Sequence, residues 1–215
     1  MQVQILLNQL GPNMQDKYGA EYDQVYCYPN SNVLRNRLNI HDQETLNSAE
    51  VEFSQFRLKE FNYANLSEFS LQTWRNIHFY LFQDIYEWAG EVRSVKISKG
   101  DTLFAMPGLI ESYAPSIFAE LEKEKFLCKL DRSKFIERIA FHFGELNLLH
   151  PFREGNGRSQ RLLFELIALN AGYALDWTVV NGSDWVPANI AAVRGDVSPL
   201  ISLFNEIVVK IPLSS

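Results

Sequence analysis

Apolar side chains recur every three or four positions along most of the chain, which is the spacing of amphipathic helices. Residues 39–61 carry this pattern, and we interpret Asp42 as the N-cap of the helix, with Thr45 as an alternative start. Residues 70–90 carry it again, and Gly90 is the expected C-terminal stop. The first half of the chain therefore predicts two helices.

The pattern continues in the second half of the chain. A helix is expected over 107–126, with Pro115 producing an early kink or a break. Another is expected over 131–150, where it delivers His150 at its C-terminal end. The residues that form the predicted buried stripe of this helix are Phe135, Ile136, Ile139, Ala140, Phe143 and Leu146.

Three further segments complete the predicted helices. Residues 161–173 are almost continuously apolar, which indicates a central helix buried on most sides. The C-terminal helices are expected over 183–210, in the segments 183–193 and 198–211, each with a serine capping signal.

Residues 92–105 depart from the helical period. β-branched residues stand at Val92, Val95 and Ile97, a Lys-Gly-Asp turn signal follows, and the apolar run resumes at Leu103. This order predicts a short β-hairpin, which we expect to be the only extended structure. The predicted fold class is all-α, with roughly seven or eight helices and this one hairpin.

The N-terminal residues 1–32 are rich in Asn, Gln, Tyr, Gly and Pro, which is typical of an irregular arm. The main domain is expected over 33–215, with a core of about 70–180. Three tyrosines are candidates for packing the arm onto this domain: Tyr22, Tyr26 and Tyr28.

Composition narrows the class of protein. Hydrophobic residues make up 47% of the 215 residues, so a sizeable core can be buried. A formal charge of −6 argues against direct nucleic-acid binding, which normally requires a basic excess. Two cysteines without CxxC spacing predict reduced thiols. No stretch of the sequence is apolar for long enough to span a membrane, and the N-terminal residues lack the pattern of a secretory signal. We therefore expect a cytoplasmic protein.

The stretch HPFREGNGRSQR, residues 150–161, concentrates chemistry in one loop. Gly155, Asn156 and Gly157 stand where one helix has ended and the next begins, so backbone amides and a helix dipole can bind an anion there. Such a sequence is also an ordinary turn. Arg158 and Arg161 lie three positions apart, on one helix face, and guanidinium groups bind phosphate oxygens.

The remaining residues of the loop fit the same chemistry. Glu154 would repel a phosphate unless a Mg²⁺ lay between them, since Mg²⁺ is held by one or two carboxylates plus substrate phosphates. His150 is the nearby group that titrates near neutral pH and can serve as a general base, although a single histidine can also be structural. Alternative readings are an exposed ion pair of Arg161 with Glu165 and a solvated surface position for Arg153. Together the residues predict metal-assisted attack on a nucleoside phosphate.

The motif resembles the signature of the Fic family. HPFREGNGR followed by Arg161 agrees with HPFx[DE]GNGRxxR at every specified position. The likeness extends through YEWAGEVR, SKGDTLFA and GELNLLHPF and covers roughly residues 30–210, and YPNSNVLRNRLNI resembles the entry segment of bacterial toxin-type members. The resemblance implies an all-α bundle with a β-hairpin flap, in agreement with the periodicity.

The resemblance also implies an activity, which is transfer of AMP from ATP to a Tyr, Thr or Ser hydroxyl of a target protein with release of pyrophosphate. His150 would be the base, Glu154 would hold Mg²⁺, and the Gly-Asn-Gly amides would bind the α- and β-phosphates. Arg158 and Arg161 would bind the outer phosphates. The hairpin 92–105 would hold the target as an added strand, with Lys99 and Phe104 as candidate contacts.

Two further implications concern specificity and regulation. Kinases of the Doc branch carry Lys at the position of Gly157, so Gly157 favours AMP transfer. Many Fic proteins carry an inhibitory motif, [ST]xxxE[GN], whose glutamate pairs with the second arginine of the signature. The four spacing matches in this chain are followed by other residues, at Ser48–Glu52, Ser116–Glu120, Ser133–Glu137 and Ser202–Glu206. We therefore expect inhibition by a separate small antitoxin whose glutamate reaches Arg161.

Alternatives remain open from the sequence. The transferred group could be phosphate, UMP or phosphocholine, and a catalytically dead binding module is a different class of protein. The target of toxin-type relatives is a type II topoisomerase, whereas effector-type relatives act in host cells. Because the sequence shows no delivery domain, we favour a toxin of the bacterial cytoplasm, with a secreted effector as the alternative.

Overall fold

The computed structural model describes residues 23–63 and 68–211, and these form one helical bundle with short strands at its margins. No helix within these ranges is long and apolar enough to cross a membrane. The described ranges contain seven α-helices, which are α1 (Gln43–Lys59), α2 (Leu71–Phe82), α3 (Pro107–Lys123), α4 (Arg132–Leu149), α5 (Asn156–Asn170), α6 (Gly182–Val193) and α7 (Ser198–Ile207). The shorter elements are β1 (Ser98–Lys99), β2 (Thr102–Leu103), β3 (Tyr173–Leu175), β4 (Val208–Lys210) and two 3₁₀ turns, Lys125–Leu127 and Trp177–Val179.

Side-chain caps fix where α1 and α4 begin. The carboxylate of Asp42 accepts a hydrogen bond from the Thr45 N–H at 2.8 Å, which confirms Asp42 as the N-cap of α1. Asp131 caps α4 in the same way, and all six residues of its predicted stripe are buried. Here local sequence signals and tertiary packing agree.

Helix α2 ends earlier than its apolar pattern predicted. The helix stops at Phe82, and the following residues form turns up to Gly90, which has a φ of +79°. These turns fold the chain back over α2, so that the Gly90 N–H donates to Nδ1 of His78 at 2.8 Å. The Gly90 carbonyl in turn accepts from Arg75 at 2.9 Å. The apolar residues beyond Phe82 are buried by this return and not by a longer helix.

Pro115 does not break α3, which runs without interruption from Pro107 to Lys123. A proline in a helix leaves the carbonyl four residues earlier without its usual partner. That carbonyl belongs to Glu111, and both Glu111 and Pro115 are exposed, so water can satisfy it. The expected break was therefore wrong.

The hairpin lies within the predicted range and is short. Ser98 pairs with Leu103 and Lys99 with Thr102 across a turn at Gly100. The expectation that it would be the only extended structure was wrong, because β3 and β4 pair antiparallel over three residues each. The predicted last helix accordingly ends at Ile207, and its final residues form β4.

Helix α5 occupies the centre of the bundle, as its apolar sequence predicted. It packs against α2 and α4 and continues into β3. α4 also packs against α6 and α7, so the C-terminal helices cover its other side. The N-cap of α6 is Asn181 and that of α7 is Val197, so the expected serine caps were wrong for both helices. The buried apolar residues of α5 are Leu162, Leu163, Phe164, Leu166, Ile167 and Ala168.

The described part of the predicted arm packs on the domain. The Tyr26 hydroxyl accepts a hydrogen bond from the Ser94 N–H at 3.1 Å, and its ring makes an edge contact with Trp88. Tyr28 stacks on His41 with ring centroids 4.0 Å apart. Tyr22 lies outside the described residues. Through these contacts the segment packs against the turn that precedes the hairpin.

Candidate active site

The signature loop joins α4 to α5 through two left-handed residues. His150 follows α4 with a φ of 40°, and Gly155 precedes α5 with a φ of +78°. Between them the chain reverses in four residues, and α5 begins at Asn156, earlier than the apolar run suggested. The first amides of α5 have no carbonyl partners within the helix. The loop thus places a histidine, an acid and a helix N-terminus together.

The ring of His150 is held in one orientation. Nδ1 lies 2.6 Å from the Asn147 carbonyl oxygen, and this contact requires Nδ1 to carry the proton. Nε2 is then the basic nitrogen of the neutral ring. The ring of Phe104 stacks on His150 with centroids 3.6 Å apart and planes 13° apart. The histidine is 8% exposed, so only a small part of it is accessible to solvent.

Phe104, predicted as a flap contact, therefore lies directly on the predicted base. It is buried with Ile97, which forms a small apolar cluster inside the hairpin. Lys99 is at the end of β1 and is partly exposed. The hairpin and the signature loop are thus brought together, as the sequence predicted for a flap.

Arg93 connects the hairpin to the loop, and sequence analysis missed it. Its side chain is 1% exposed, and its N–H groups donate to four backbone carbonyls. The acceptors are the carbonyl oxygens of Val95 at 2.7 Å, Ala105 at 2.6 Å, Leu149 at 3.2 Å and His150 at 2.7 Å. One guanidinium therefore contacts both ends of the hairpin and the junction where α4 meets the signature loop.

Glu154 presents a carboxylate beside the start of α5. One oxygen accepts from the Gly155 N–H at 2.7 Å and lies 3.7 Å from Arg158. The described residues contain no group of three or more metal-ligating side chains. A single carboxylate next to helix amides still suits Mg²⁺, which is commonly held by one carboxylate and substrate phosphates.

The side chain of Asn156 is used inside the loop. Its oxygen accepts from the Phe152 N–H at 2.8 Å, and its nitrogen donates to the Phe152 carbonyl at 2.7 Å. The residue is fully buried, so only its backbone N–H can serve an anion site. The side chain closes the loop that carries Glu154.

The two glycines of the signature meet different surroundings. A Cβ on Gly155 would overlap the ring of Phe82 and lie 3.1 Å from Nε2 of His78. A Cβ on Gly157 would meet no atom within 4 Å. Gly155 is therefore required by the fold, whereas Gly157 keeps the space at the helix N-terminus open.

Arg158 forms an ion pair inside the protein. Its guanidinium bonds the carboxylate of Glu50 on α1, which also accepts from the Tyr86 hydroxyl. The guanidinium lies over the Phe82 ring, 4.6 Å from its centroid. The predicted phosphate clamp is thus already engaged between two carboxylates, those of Glu50 and Glu154.

Arg161 lies beside two indole rings that contact each other edge to face. Its guanidinium carbon is 5.5 Å from the centroid of Trp177 and 5.3 Å from that of Trp185. Glu165, which the alternative reading placed on the surface, is 3% exposed. Burial raises the pKa of Glu165 to about 7, while the nearby N–H groups of Leu175 and Trp177 partly oppose this. An exposed Arg161–Glu165 pair is therefore ruled out.

Two further buried groups support the loop. Nε2 of His78 donates to the Glu154 carbonyl at 2.8 Å, and the ring stacks on Phe152 with centroids 3.9 Å apart. Burial lowers the pKa of His78 to about 3, so the ring is neutral. Arg153, expected on the surface, is 6% exposed and pairs with Asp23 at 2.6 Å. The structure corrects that expectation.

Two of these supporting residues, Glu50 and His78, could have been found from the sequence. Glu50 lies four positions after Leu46 in the buried stripe of α1, and His78 lies in the stripe of α2. A polar residue in an apolar stripe needs a buried partner. Arg93 and Asp23 had no such signal, because they lie in irregular segments outside any apolar stripe.

Comparisons with known proteins agree with the geometry. Residues 68–168 match the model of the Fic/DOC family. The chain is 40% identical over 195 residues to a probable protein adenylyltransferase Fic of Escherichia coli, covering 91% of this chain and 96% of the relative. It is 41% identical to the protein adenylyltransferase VbhT of Bartonella schoenbuchensis, covering 88% of this chain and 40% of that longer protein.

Solved structures have the same architecture. BepC of Bartonella tribocorum, with bound AMPPNP, aligns with a TM-score of 0.81 at 25% identity, covering 90% of this chain and 100% of that one. The N-terminal Fic domain of a Bartonella quintana effector, with bound ADP, aligns with a TM-score of 0.80 at 27% identity. It covers 86% of this chain and 95% of that one.

The different surroundings of the glycines predict different effects of the same substitution. Gly155→Ala should lower the free energy of unfolding by about 2 kcal/mol or more, because it combines a left-handed backbone with overlap of Phe82. Gly157→Ala should change it by less than about 1 kcal/mol, since alanine is tolerated in a helix. Urea denaturation of both variants measures this, and equal destabilisation would contradict the assignment.

The buried carboxyl of Glu165 predicts a pH dependence of stability. Its folded pKa of about 7 lies above the ordinary value of 4.5, so stability falls as pH rises from about 4.5 to 7. Glu165→Gln should remove this loss, which is on the order of 3 kcal/mol. Urea midpoints at pH 5 and 7.5 test it, with exposed Glu52→Gln as control. Unchanged pH dependence in Glu165→Gln would refute it.

Proposed function

The chain belongs to the Fic/DOC family, and we propose that it transfers AMP from ATP to a Ser, Thr or Tyr hydroxyl of a target protein. The observation that carries this proposal is the position of a tautomer-fixed His150 beside the open N-terminus of α5. The relatives named as protein adenylyltransferases support it.

The chemical step uses His150 as the base. Nε2 takes the proton of the target hydroxyl, and the hydroxyl oxygen attacks the α-phosphorus of ATP. The bond from that phosphorus to the bridging oxygen of the β-phosphate breaks, and pyrophosphate leaves. AMP remains joined to the target through a new ester bond. The hydrogen bond to Asn147 supports this role because it keeps the basic nitrogen at Nε2.

The N-terminus of α5 is the proposed phosphate site. The backbone amides of Asn156 and Gly157 would bind the α- and β-phosphates, supported by the helix dipole, whereas the N–H of Gly155, the third residue of the predicted nest, already donates to Glu154. The open space at Gly157 supports AMP transfer over phosphorylation, because a side chain there would occupy the place proposed for the nucleotide. Mg²⁺ bound by Glu154 would neutralise phosphate charge during the reaction.

We propose different roles for the two arginines of the signature. Arg161 is the proposed ligand of the outer phosphates, because its guanidinium is placed over the rings of Trp177 and Trp185 on the helix that begins at the phosphate site, and guanidinium groups bind phosphate oxygens. For Arg158 we propose an indirect role, since Glu50 already binds its guanidinium. Its charge also attracts Glu154, which keeps that carboxylate near the phosphate site.

The hairpin is the proposed binding site of the target. A segment of the target would add as a strand beside β1 and β2, with Lys99 and Phe104 as contacts. The stacking of Phe104 on His150 supports this, because a strand at the hairpin is then close to the base.

We also propose that the protein is the toxin of a toxin–antitoxin pair in the bacterial cytoplasm, possessing no inhibitory motif of its own. A small antitoxin would bring a glutamate to Arg161, and a type II topoisomerase is the proposed target. The likeness to effectors translocated by VirB systems supports the alternative of an effector that acts in a host cell.

Labelled ATP tests the reaction. Label in the α-phosphate should enter protein of a bacterial lysate, whereas label in the γ-phosphate should not. His150→Ala should lower the transfer by about 10²-fold or more, since a general base contributes this much. His41→Ala is the matched control, because His41 is exposed and remote in sequence from the motif. Transfer of γ-label, or full activity of His150→Ala, would refute the proposal.

The regulation proposal has its own test. The purified chain should transfer AMP without any activating substitution, and Glu206→Gly should leave its rate within about twofold of the wild type. Glu206 is an exposed residue of α7 and terminates the last spacing match to the inhibitory motif. An inactive wild type that Glu206→Gly activates would show that the chain inhibits itself.

A further inference from the structure

We infer that Arg93 is a positioning residue that fixes the hairpin at its working distance from His150. The inference rests on the proposed roles of the hairpin and of His150. Its basis is the placement of one buried guanidinium among carbonyl groups of two different segments. Arg93 itself touches neither substrate nor the reacting atoms in this assignment.

The contacts of Arg93 are divided evenly between the two segments. The carbonyls of Val95 and Ala105 flank the hairpin on its two sides, at 2.7 and 2.6 Å. The carbonyls of Leu149 and His150 belong to the end of α4, at 3.2 and 2.7 Å. Because the guanidinium is planar and rigid, it sets the distance between the groups that it joins.

Backbone hydrogen bonds join the same two segments. The Arg93 N–H donates to the Pro151 carbonyl at 2.8 Å, and the Ala105 N–H donates to the Leu148 carbonyl at 3.0 Å. The end of the hairpin is thereby bonded to the last turn of α4. The side chain of Arg93 lies between these bonds and adds the connection to Val95 at the start of the hairpin.

The conformation of His150 explains why such a link matters. A non-glycine residue in the left-handed region costs about 1–3 kcal/mol and persists only where its surroundings hold it. Arg93 binds the carbonyl of His150, and Phe104 of the hairpin covers its ring. A shift of the hairpin would therefore change both the place of the target strand and the orientation of the base.

Lysine cannot replace this arrangement. Its ammonium has three donors on a flexible chain, whereas the guanidinium offers five in a fixed plane. Arg93→Lys keeps the charge and loses the geometry. A misplacement of about 1 Å can cost up to about 10²-fold in rate. We therefore expect a loss in transfer with little change at the nucleotide site, whose amides belong to α5.

The experiment compares Arg93→Lys with the wild type in three measurements. The first is the initial rate of α-label transfer at saturating ATP over a range of lysate concentrations, which gives apparent kcat and KM for acceptor protein. The second is the calorimetric Kd of AMPPNP. The third is hydrogen exchange at the Ala105 amide. Arg57→Lys is the matched control, because Arg57 binds Asp84 through two bonds of 2.7 Å away from the loop.

The expected result for Arg93→Lys is a kcat/KM lowered about tenfold or more, an AMPPNP Kd within about twofold, and faster exchange at Ala105. An unchanged kcat/KM would overturn the inference. A loss of AMPPNP affinity as large as the loss in transfer would also overturn it, because the two losses together would indicate general disruption of the protein. Failure of both Arg93→Lys and Arg93→Gln to fold, while Arg57→Lys folds, would also overturn it by making Arg93 a core residue.

The outcomes separate this inference from the proposed function. A wild type that transfers no label would refute the proposed function. Exchange at Ala105 would then decide the anchoring, since it requires no activity. Unchanged protection of that amide in Arg93→Lys would refute the anchoring whatever the reaction proves to be.

Discussion

The site depends on one constraint, which is that a sharp reversal between two buried helices must satisfy every polar group it buries. The junction contains two left-handed residues, His150 and Gly155, and its carbonyls cannot all bond within a helix. Arg93 and His78 supply the missing donors from other segments, to the carbonyls of His150 and Glu154. An unpaired buried group would cost roughly 1–3 kcal/mol, so these contacts stabilise the loop.

Further contacts hold the loop and its neighbours in place. Asn156 closes the loop through Phe152, and Asp23 pairs with Arg153 from the N-terminal segment. Preorganised groups do not need to reorient when charge develops, which is the main source of electrostatic catalysis. The bundle therefore acts as a support for a short loop, and the supporting residues come from four separate segments of the chain.

The sequence predicted the features that depend on near neighbours. The Asp42 cap, the buried stripe of α4 and the hairpin range follow from local periods and capping chemistry. It failed where partners are distant, because local patterns carry no information about them. Arg153 reads as a surface residue until Asp23, 130 positions away, is placed beside it. The β3–β4 pair was missed for the same reason, since each strand is only three residues long.

The charge balance of the site shows why the long-range partners matter for function. The signature contributes two arginines, and a local reading assigns both to phosphate. Glu50 reaches the loop from α1 and pairs with Arg158, while Arg161 lies beside the indole rings of Trp177 and Trp185. A buried carboxylate that pairs with a guanidinium offsets part of its attraction for a phosphate, so the Glu50 pair lowers what Arg158 can contribute to an anion site. The fold thus distinguishes two residues that the motif presents as equivalent.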